Sequence, residues 1–256
     1  MTESNGPVLL VIQEHIAFVT LNRPEKRNAF STAVFEGLDA AFGKLTPAVR
    51  AVVISGAGKH FCAGLDLAEH QMSTPFESVL SSRAGHRLFE RIRDCGRPVI
   101  CALHGAVIGG GLELACCTHI RVADETTFFE LPEGRRGIFV GGGASVTVAR
   151  VIGTSRLTEM MLTGRRVDAK AAEQMGLVHY VVGAGGALER ATELANRVAE
   201  NAQISNYMMM QALRYIGDMP EEPGHFTESL AQALTLTSTD AQEGISAFLE
   251  KRTSKF

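Results

Sequence analysis

The sequence predicts an α/β fold whose C-terminal part is helical. Short β-branched runs and amphipathic segments are mixed through the first two-thirds of the chain, whereas helical periodicity dominates the last third. A strand, strand, helix order also recurs, without a sequence repeat of fixed period. Within the 256 residues we therefore expect a mixed core over residues 1–195 and a helical region over residues 196–256.

The first elements are predicted to be a hairpin, a helix and a buried strand. Two apolar runs, Val8 to Gln13 and Ile16 to Leu21, are separated by two polar residues, as in a β-hairpin. Ser31 or Thr32 can then cap a helix, because apolar side chains follow at intervals of three and four. The apolar run from Ala51 to Ser55 is typical of a buried strand.

The remaining elements follow from the same patterns. In chain order, we predict a helix from Pro75 to about Asp94, a strand from Pro98 to Leu103, helices over Ala144 to Ile152, Ser155 to Leu162 and Asp168 to Met175, a strand over Leu177 to Val182, and helices from Ala187, from Ser205 to Ile216 and, twice, after Pro223.

The stretch from Cys101 to Val140 is the strongest candidate for a functional site. An apolar run leads into the glycines at 109–111, and a helical segment then opens with Glu113 in its first turn. Free backbone N–H groups at such a helix start favour negative charge, and glycines allow a ligand to approach closely. A second carboxylate, Glu133, precedes another glycine-rich turn. Two carboxylates beside backbone donors can move protons next to a developing oxyanion.

Composition excludes several classes of function. The net charge is −3, from 25 basic and 28 acidic residues that are mixed throughout, so we expect neither nucleic-acid nor membrane binding. The five cysteines form no C-x-x-C pair, and no secretory signal is evident, so we expect a reduced, cytoplasmic protein. No His and Cys spacing suits zinc, and the glycine strings fit neither a phosphate loop nor a dinucleotide fingerprint. We therefore expect no metal and no separate cofactor.

Six segments together resemble the crotonase superfamily, the enoyl-CoA hydratases and isomerases. They occur in the family's order and span nearly the whole chain: L-N-R-P-E-K-R-N-A-F (21 to 30), H-F-C-A-G-L-D-L (60 to 67), H-G-A-V-I-G-G-G-L-E-L-A (104 to 115), L-P-E-G-R-R-G (131 to 137), G-R-R-V-D-A-K-A-A-E-Q-M-G-L-V (164 to 178) and D-A-Q-E-G-I-S-A-F-L-E-K-R (240 to 252). The resemblance implies a spiral of strand, strand, helix units, with C-terminal helices that form trimers or dimers of trimers.

The resemblance also implies roles for the residues of the two glycine loops. Glu113 and Glu133 match the glutamates with which hydratases hold and activate one water; we favour Glu113 as the base and Glu133 as the proton donor to the α-carbon. By motif position, the amides of Ala63 and Gly110 should hold the thioester oxygen of an acyl-CoA. Removing one such donor costs about 3 kcal/mol of transition-state stabilisation.

Contacts with coenzyme A, which is part of the substrate, are implied for six further residues. These are Lys26, Arg27 and Ala29 in the first loop, Asp66 and Leu67 in the second, and Lys251 near the C-terminus, which can reach a neighbouring subunit's CoA. Lys26, Arg27 and Lys251 are equally compatible with ordinary solvated surface charge.

The resulting expectation is hydration of a 2-enoyl-CoA to a 3-hydroxyacyl-CoA, a carbon–oxygen lyase reaction of fatty acid metabolism. Isomerisation of the double bond or hydrolysis of the thioester on the same scaffold is the first alternative. A non-catalytic acyl-CoA-binding module is the second. Two departures from the usual hydratase pattern, Arg135-Arg136 and Phe139-Val140, leave open whether the acyl group is a simple chain or a polar, branched one.

Overall fold

The computed structural model describes residues 6–69 and 74–256. Over these ranges the strands are β1 (Val8–Gln13), β2 (Ile16–Leu21), β3 (Ala51–Gly56), β4 (Val99–Leu103), β5 (Ala106–Ile108), β6 (Ile120–Asp124), β7 (Phe128–Glu130), β8 (Val167–Asp168) and β9 (Tyr180–Val182). The helices are α1 (Thr32–Gly43), α2 (Pro75–Arg93), α3 (Gly110–Cys117), α4 (Ala144–Ile152), α5 (Thr154–Thr163), α6 (Ala169–Gln174), α7 (Ala187–Ala199), α8 (Gln203–Ile216), α9 (Glu221–Leu236) and α10 (Thr239–Leu249).

The strands form two sheets. The larger sheet has the order β1-β2-β3-β4-β6-β9, in which β1 pairs antiparallel with β2 and all other neighbours are parallel. The smaller sheet has the order β5-β7-β8. The observed mixture of strands and helices, with only helices after β9, confirms the predicted α/β class.

The recurring strand, strand, helix order distributes the chain between the two sheets. β4 belongs to the large sheet, whereas β5, which follows it directly, belongs to the small one; β6 and β7 repeat this division. β3 is followed by Cys62, which makes an isolated parallel bridge to Val107 at the edge of β5. Each unit thus contributes extended chain to both layers and then a helix, which is the predicted spiral arrangement.

Alternating side chains of the large sheet pack into two hydrophobic clusters. On β3, Val52 and Ile54 face the main core with α1 and α3, whereas Ala51 and Val53 face α7. This period of two follows from the pleat of a strand. Small residues on α7, including Ala187 and Ala191, are fully buried and allow the helix to lie close to the sheet. The predicted division after residue 195 falls within α7 and stays a prediction.

Most predicted elements are present, and the differences have physical causes. β9 begins only at Tyr180, because Leu177 and Val178 are buried in the turn that leads to it. α9 begins at Glu221, so that Pro223 lies in its first turn, where no backbone N–H is needed for the helix. β5, β6 and β8 were not predicted. Among the described residues, no helix is long and apolar enough to cross a lipid bilayer.

Candidate active site

Glu113 is held rigidly by the start of another helix. It lies in the first turn of α3, which begins directly after Gly109, a residue with a φ of 50°. The carboxylate is 5% exposed, and its Oε1 accepts hydrogen bonds from the amides of Gly142 (2.8 Å) and Ala144 (3.0 Å). These amides belong to the N-terminal end of α4, which favours a negative charge. One carboxylate oxygen is therefore fixed by the backbone.

Glu133 lies opposite, in a short 3-10 turn that runs from Glu133 to Arg136. Its side chain is 7% exposed, and Oε2 is buried without a hydrogen-bond partner among the residues that the structure describes. Oε1 passes so close to Gly109 that a Cβ on this glycine would lie 2.7 Å away. A buried, unpartnered carboxylate oxygen is costly in a folded protein. It is therefore a strong indication of a group that meets water or a ligand.

The electrostatics of the two carboxylates differ in a chemically useful way. Burial raises the pKa of Glu113, and the amide hydrogen bonds from Ala144 and Gly142 oppose that rise. Burial also raises the pKa of Glu133; the negative charge of Glu113 raises it further, whereas Arg136 lowers it. The two carboxylates thus differ in their surroundings, since backbone amides stabilise the anion of Glu113, whereas the charge of Glu113 disfavours the anion of Glu133.

The predicted oxyanion donor Ala63 requires a correction. Its amide donates to the carbonyl oxygen of Arg27 (3.0 Å), so this N–H is already used within the protein. On the same loop, the Gly64 carbonyl and the Asp66 amide both pair with Phe30. Because backbone groups of an extended segment alternate in direction, the intervening Leu65 amide points away from Phe30. It has no partner among the described residues.

Leu65 and Gly110 belong to two loops that contact each other. Both residues line one cavity. Gly110 is the first residue of α3, where helix geometry leaves the backbone N–H without a helical acceptor. The two loops touch at Gly64, since a Cβ there would lie 3.3 Å from the Gly110 nitrogen. The Gly110 amide is thus available for its predicted role, and on the other loop the amide of Leu65 is available whereas that of Ala63 is not. The hydrogen-bonding pattern of the loop, which the motif does not display, distinguishes Leu65 from Ala63.

The residues predicted to contact CoA are not all brought together. Leu67 lines the cavity and is 46% exposed. Asp66 lies beside it, but its carboxylate is buried and paired with Arg23 at 3.2 Å. Arg23 also donates to the Ala29 carbonyl at 3.0 Å, and it therefore joins the two loops. Sequence reasoning missed this residue.

The three predicted cations lie outside the cavity lining. Lys26 ends a 3-10 turn, and Arg27 follows with a φ of 53°. Lys251 follows the end of α10 with a φ of 55°. All three are exposed. Their predicted contacts with CoA stay predictions.

The cavity has a volume of about 980 Å³ and extends well beyond the carboxylates. Its walls come from α1, α2, the two glycine loops and the segment after Glu133. An aromatic cluster forms part of the wall, with the ring of Phe30 5.1 Å from that of Phe35 and 6.0 Å from that of Phe89. The helical walls were not predicted as part of the site. The cavity is lined by Phe30, Thr32, Phe35, Glu36, Asp39, Ala40, Ala63, Gly64, Leu65, Leu67, Ser78, Ser81, Ser82, Ala84, Gly85, Arg87, Leu88, Phe89, Arg91, Gly109, Gly110, Glu113, Glu133, Arg136, Ile138, Phe139, Val140, Gly141 and Gly142.

Of the two arginines that depart from the usual pattern, only Arg136 reaches this cavity. Arg135 turns away, to the Glu130 carboxylate (3.2 Å) and the Thr163 carbonyl (2.8 Å). Phe139 and Val140 also line the cavity. The departures therefore affect the walls of the site and leave its two glutamates unchanged.

Comparisons with known proteins agree with this geometry. Residues 11–256 match the family model described as enoyl-CoA hydratase/isomerase. The chain is 33% identical to enoyl-CoA hydratase EchA19 of Mycobacterium tuberculosis, over 100% of this chain and 98% of that protein. It is 37% identical to a putative enoyl-CoA hydratase of Thermus thermophilus, over 94% of this chain and 97% of that one.

A solved structure is similar over the same extent. The crystal structure of a putative enoyl-CoA hydratase from Rhodopseudomonas palustris superposes with a TM-score of 0.94 at 43% identity, covering 96% of this chain and 95% of that chain. The helices and the two sheets thus belong to a shared architecture. The chain is a member of the enoyl-CoA hydratase/isomerase family.

Proposed function

We propose that the protein adds water across the double bond of a 2-enoyl-CoA to give a 3-hydroxyacyl-CoA. The observation that carries this proposal is the pair of buried carboxylates, Glu113 and Glu133, on one cavity. The names of the relatives, which are enoyl-CoA hydratases, support the same reaction. Isomerisation or binding alone would not require two carboxylates with different surroundings.

The surroundings of the carboxylates support a different role for each. Glu113 accepts two backbone hydrogen bonds that stabilise its anion, which fits a base that takes a proton from water while the water oxygen bonds to the β-carbon. Burial and the charge of Glu113 raise the pKa of Glu133, which fits an acid that transfers a proton to the α-carbon. The net change is addition of one water, and transfer of one proton from Glu113 to Glu133 restores the starting state.

The amides of Leu65 and Gly110 stabilise the intermediate charge. As the β-carbon is attacked, electron density moves to the thioester oxygen, and these two amides donate to it. Such preorganised donors act most strongly where water is excluded. We propose that six residues contact the CoA portion of the substrate: Leu67, Lys26, Arg27, Ala29, Asp66 and Lys251.

A direct test follows the ultraviolet absorbance of the conjugated thioester of crotonyl-CoA. We expect the wild-type protein to remove it, whereas Glu113→Gln and Glu133→Gln should each lose at least ~10²-fold in rate, as for a removed acid or base. Glu173→Gln is the matched control, since this carboxylate is exposed and lies outside the cavity lining. Release of a free thiol would indicate hydrolysis instead, and no change with any enoyl-CoA would indicate a binding module.

We propose further that the protein assembles as a homotrimer or a dimer of trimers. Large apolar side chains are exposed on the C-terminal helices, including Phe226 (62%), Leu230 (56%) and Phe248 (81%). Exposed apolar surface of this kind is typical of subunit interfaces. Light scattering coupled to gel filtration should give a mass of three or six chains, and a monomer would contradict the proposal. The five unpaired cysteines support a reducing, cytoplasmic location.

A further inference from the structure

The cavity continues past the two glutamates into a groove between α1 and α2. Its inner end is the unpartnered Oε2 of Glu133, which points to a ligand in this cavity. From there the groove passes the aromatic cluster of Phe30, Phe35 and Phe89. Its volume of about 980 Å³ lies at the upper end of the range for sites that enclose a drug-sized ligand. The groove therefore has room for more than the reacting atoms.

The α2 wall of this groove carries small side chains from Ser78 to Gly85, whereas larger ones line it further along the helix: Arg87, Leu88, Phe89 and Arg91. Ser78, Ser81, Ser82 and Gly85 all line it, at intervals of three and four residues that place them on one helix face. At Gly85, a Cβ would meet no heavy atom within 4 Å. Glycine is therefore not required there by packing or by a positive φ, and its effect is to widen the groove. In a helix interior, glycine is otherwise less favourable than alanine.

A surface ion pair joins the two helices that line the groove. Asp39 on α1 and Arg91 on α2 line the groove and approach to 2.6 Å, with side-chain exposures of 54% and 48%. Exposed pairs of this kind contribute little to stability. A ligand that extends beyond Gly85 can therefore separate them at little cost, so the ion pair does not fix the length of the groove.

We propose that Gly85 sets the acyl-chain specificity of the enzyme, and that its substrates are 2-enoyl-CoA esters whose acyl chains extend well beyond four carbons. The inference rests on the proposed hydratase function. The conjugated end of the acyl group lies at Glu113 and Glu133, and the remainder passes the aromatic cluster and lies against Gly85. A large side chain at this position would fill the groove and leave the site of reaction open.

The test measures kcat/KM with enoyl-CoA esters of four, eight, twelve and sixteen acyl carbons. The wild-type enzyme should use the twelve-carbon ester at least as well as the four-carbon ester. Gly85→Phe should lower the ratio of kcat/KM for the twelve-carbon ester to that for the four-carbon ester by at least about tenfold. Gly85→Leu should lower this ratio to a smaller extent.

Arg83→Phe is the matched control, because Arg83 is exposed on the same helix but lies outside the groove lining. It should leave the ratio between the two esters unchanged. If the wild-type enzyme hydrates only the four-carbon ester, the length inference is overturned and the hydratase proposal stands. Equal losses on all esters in both Gly85→Leu and Gly85→Phe would overturn the role of Gly85. If no ester is hydrated, both proposals fail.

Discussion

Replacing Gly142 with alanine should disable the enzyme while its fold is retained. A Cβ at this position would clash with Oε2 of Glu113 and lie 2.9 Å from Cε2 of Phe89. The contact with the carboxylate oxygen would be the shorter of the two, so the carboxylate is the group that must move. In moving, Glu113 would lose the hydrogen bonds of 2.8 and 3.0 Å from the amides of Gly142 and Ala144.

The expected magnitudes follow from these contacts. Each charge-assisted hydrogen bond to the carboxylate contributes about 1.5–3 kcal/mol. Loss of a positioned base lowers the rate by about 10²–10⁴-fold. Overpacking costs about 1–3 kcal/mol of the free energy of unfolding, and a chain of this size loses about 2–4 °C in Tm for each kcal/mol. Gly142→Ala should therefore remain folded at room temperature while its kcat falls by at least ~10²-fold.

The assay combines steady-state hydration of an enoyl-CoA with thermal unfolding followed by circular dichroism. Gly141→Ala is the matched control, since a Cβ at position 141 would come no closer than 3.9 Å to another group, the Oγ of Ser82. It should retain both kcat and Tm. If Gly142→Ala is folded and keeps full kcat, the position of the Glu113 carboxylate is not required, and its assignment as the base is refuted.

Three further predictions concern charge, stability and reactivity. Burial raises the pKa of Glu133 in the folded state, so the native protein binds more protons than the unfolded chain, and its stability falls as pH rises through the unfolded-state pKa. Glu133→Gln should therefore have a higher Tm than the wild type above about pH 5 and the same Tm near pH 4. A difference in Tm that is independent of pH would contradict this prediction. Arg121→Met should lower the free energy of unfolding, measured in urea, by about 1–3 kcal/mol for each of the two carbonyl oxygens that the buried guanidinium now satisfies; an unchanged midpoint would refute that role. Burial raises the pKa of Cys62 to about 12 and that of Cys116 to about 11, and it also raises the pKa values of Cys101 and Cys117. Iodoacetamide should therefore leave these four thiols unlabelled in native protein and label all five cysteines after unfolding; rapid labelling of any of the four in native protein would contradict their burial.

The two carboxylates of the candidate site could be predicted because glycines mark their positions in the sequence. Gly109 adopts a positive φ at the start of α3, and a side chain there would collide with Glu133. A glycine cluster followed by a glutamate therefore indicates that two loops approach each other closely. Hydrophobic periodicity likewise predicted α1 and the hairpin of β1 and β2, because these elements depend on local contacts.

The pairing of backbone groups could not be predicted in this way. Ala63 and Leu65 lie two residues apart, and either amide could serve as a donor by spacing alone. The choice depends on the contact of this loop with Phe30 and Arg27, which come from a distant part of the chain. Backbone amides are identical in every residue except proline, so a sequence motif does not record which of them is occupied.

Strand β6 was missed because a charged residue interrupts its apolar pattern. Arg121 is 5% exposed and donates to the carbonyls of Leu177 (2.6 Å) and Thr118 (2.8 Å). These acceptors come from the turns before β9 and β6, so the burial of this cation is made possible by tertiary structure. A rule that places arginine on the surface fails where the fold supplies carbonyl oxygens in its interior.

The different roles that we propose for the two glutamates follow from what surrounds each of them. Their chemical identity alone would leave these roles open. Glu113 reaches the start of α4 and receives two amide hydrogen bonds, so folding stabilises its anion. Glu133 lies in a four-residue turn, and its Oε2 has no partner among the described residues. Burying an unpaired charge is costly, which favours the protonated form of Glu133 and fits the role that we propose for it as proton donor to a substrate carbon. The same asymmetry that makes Glu133 a source of instability therefore makes it suited to act as an acid.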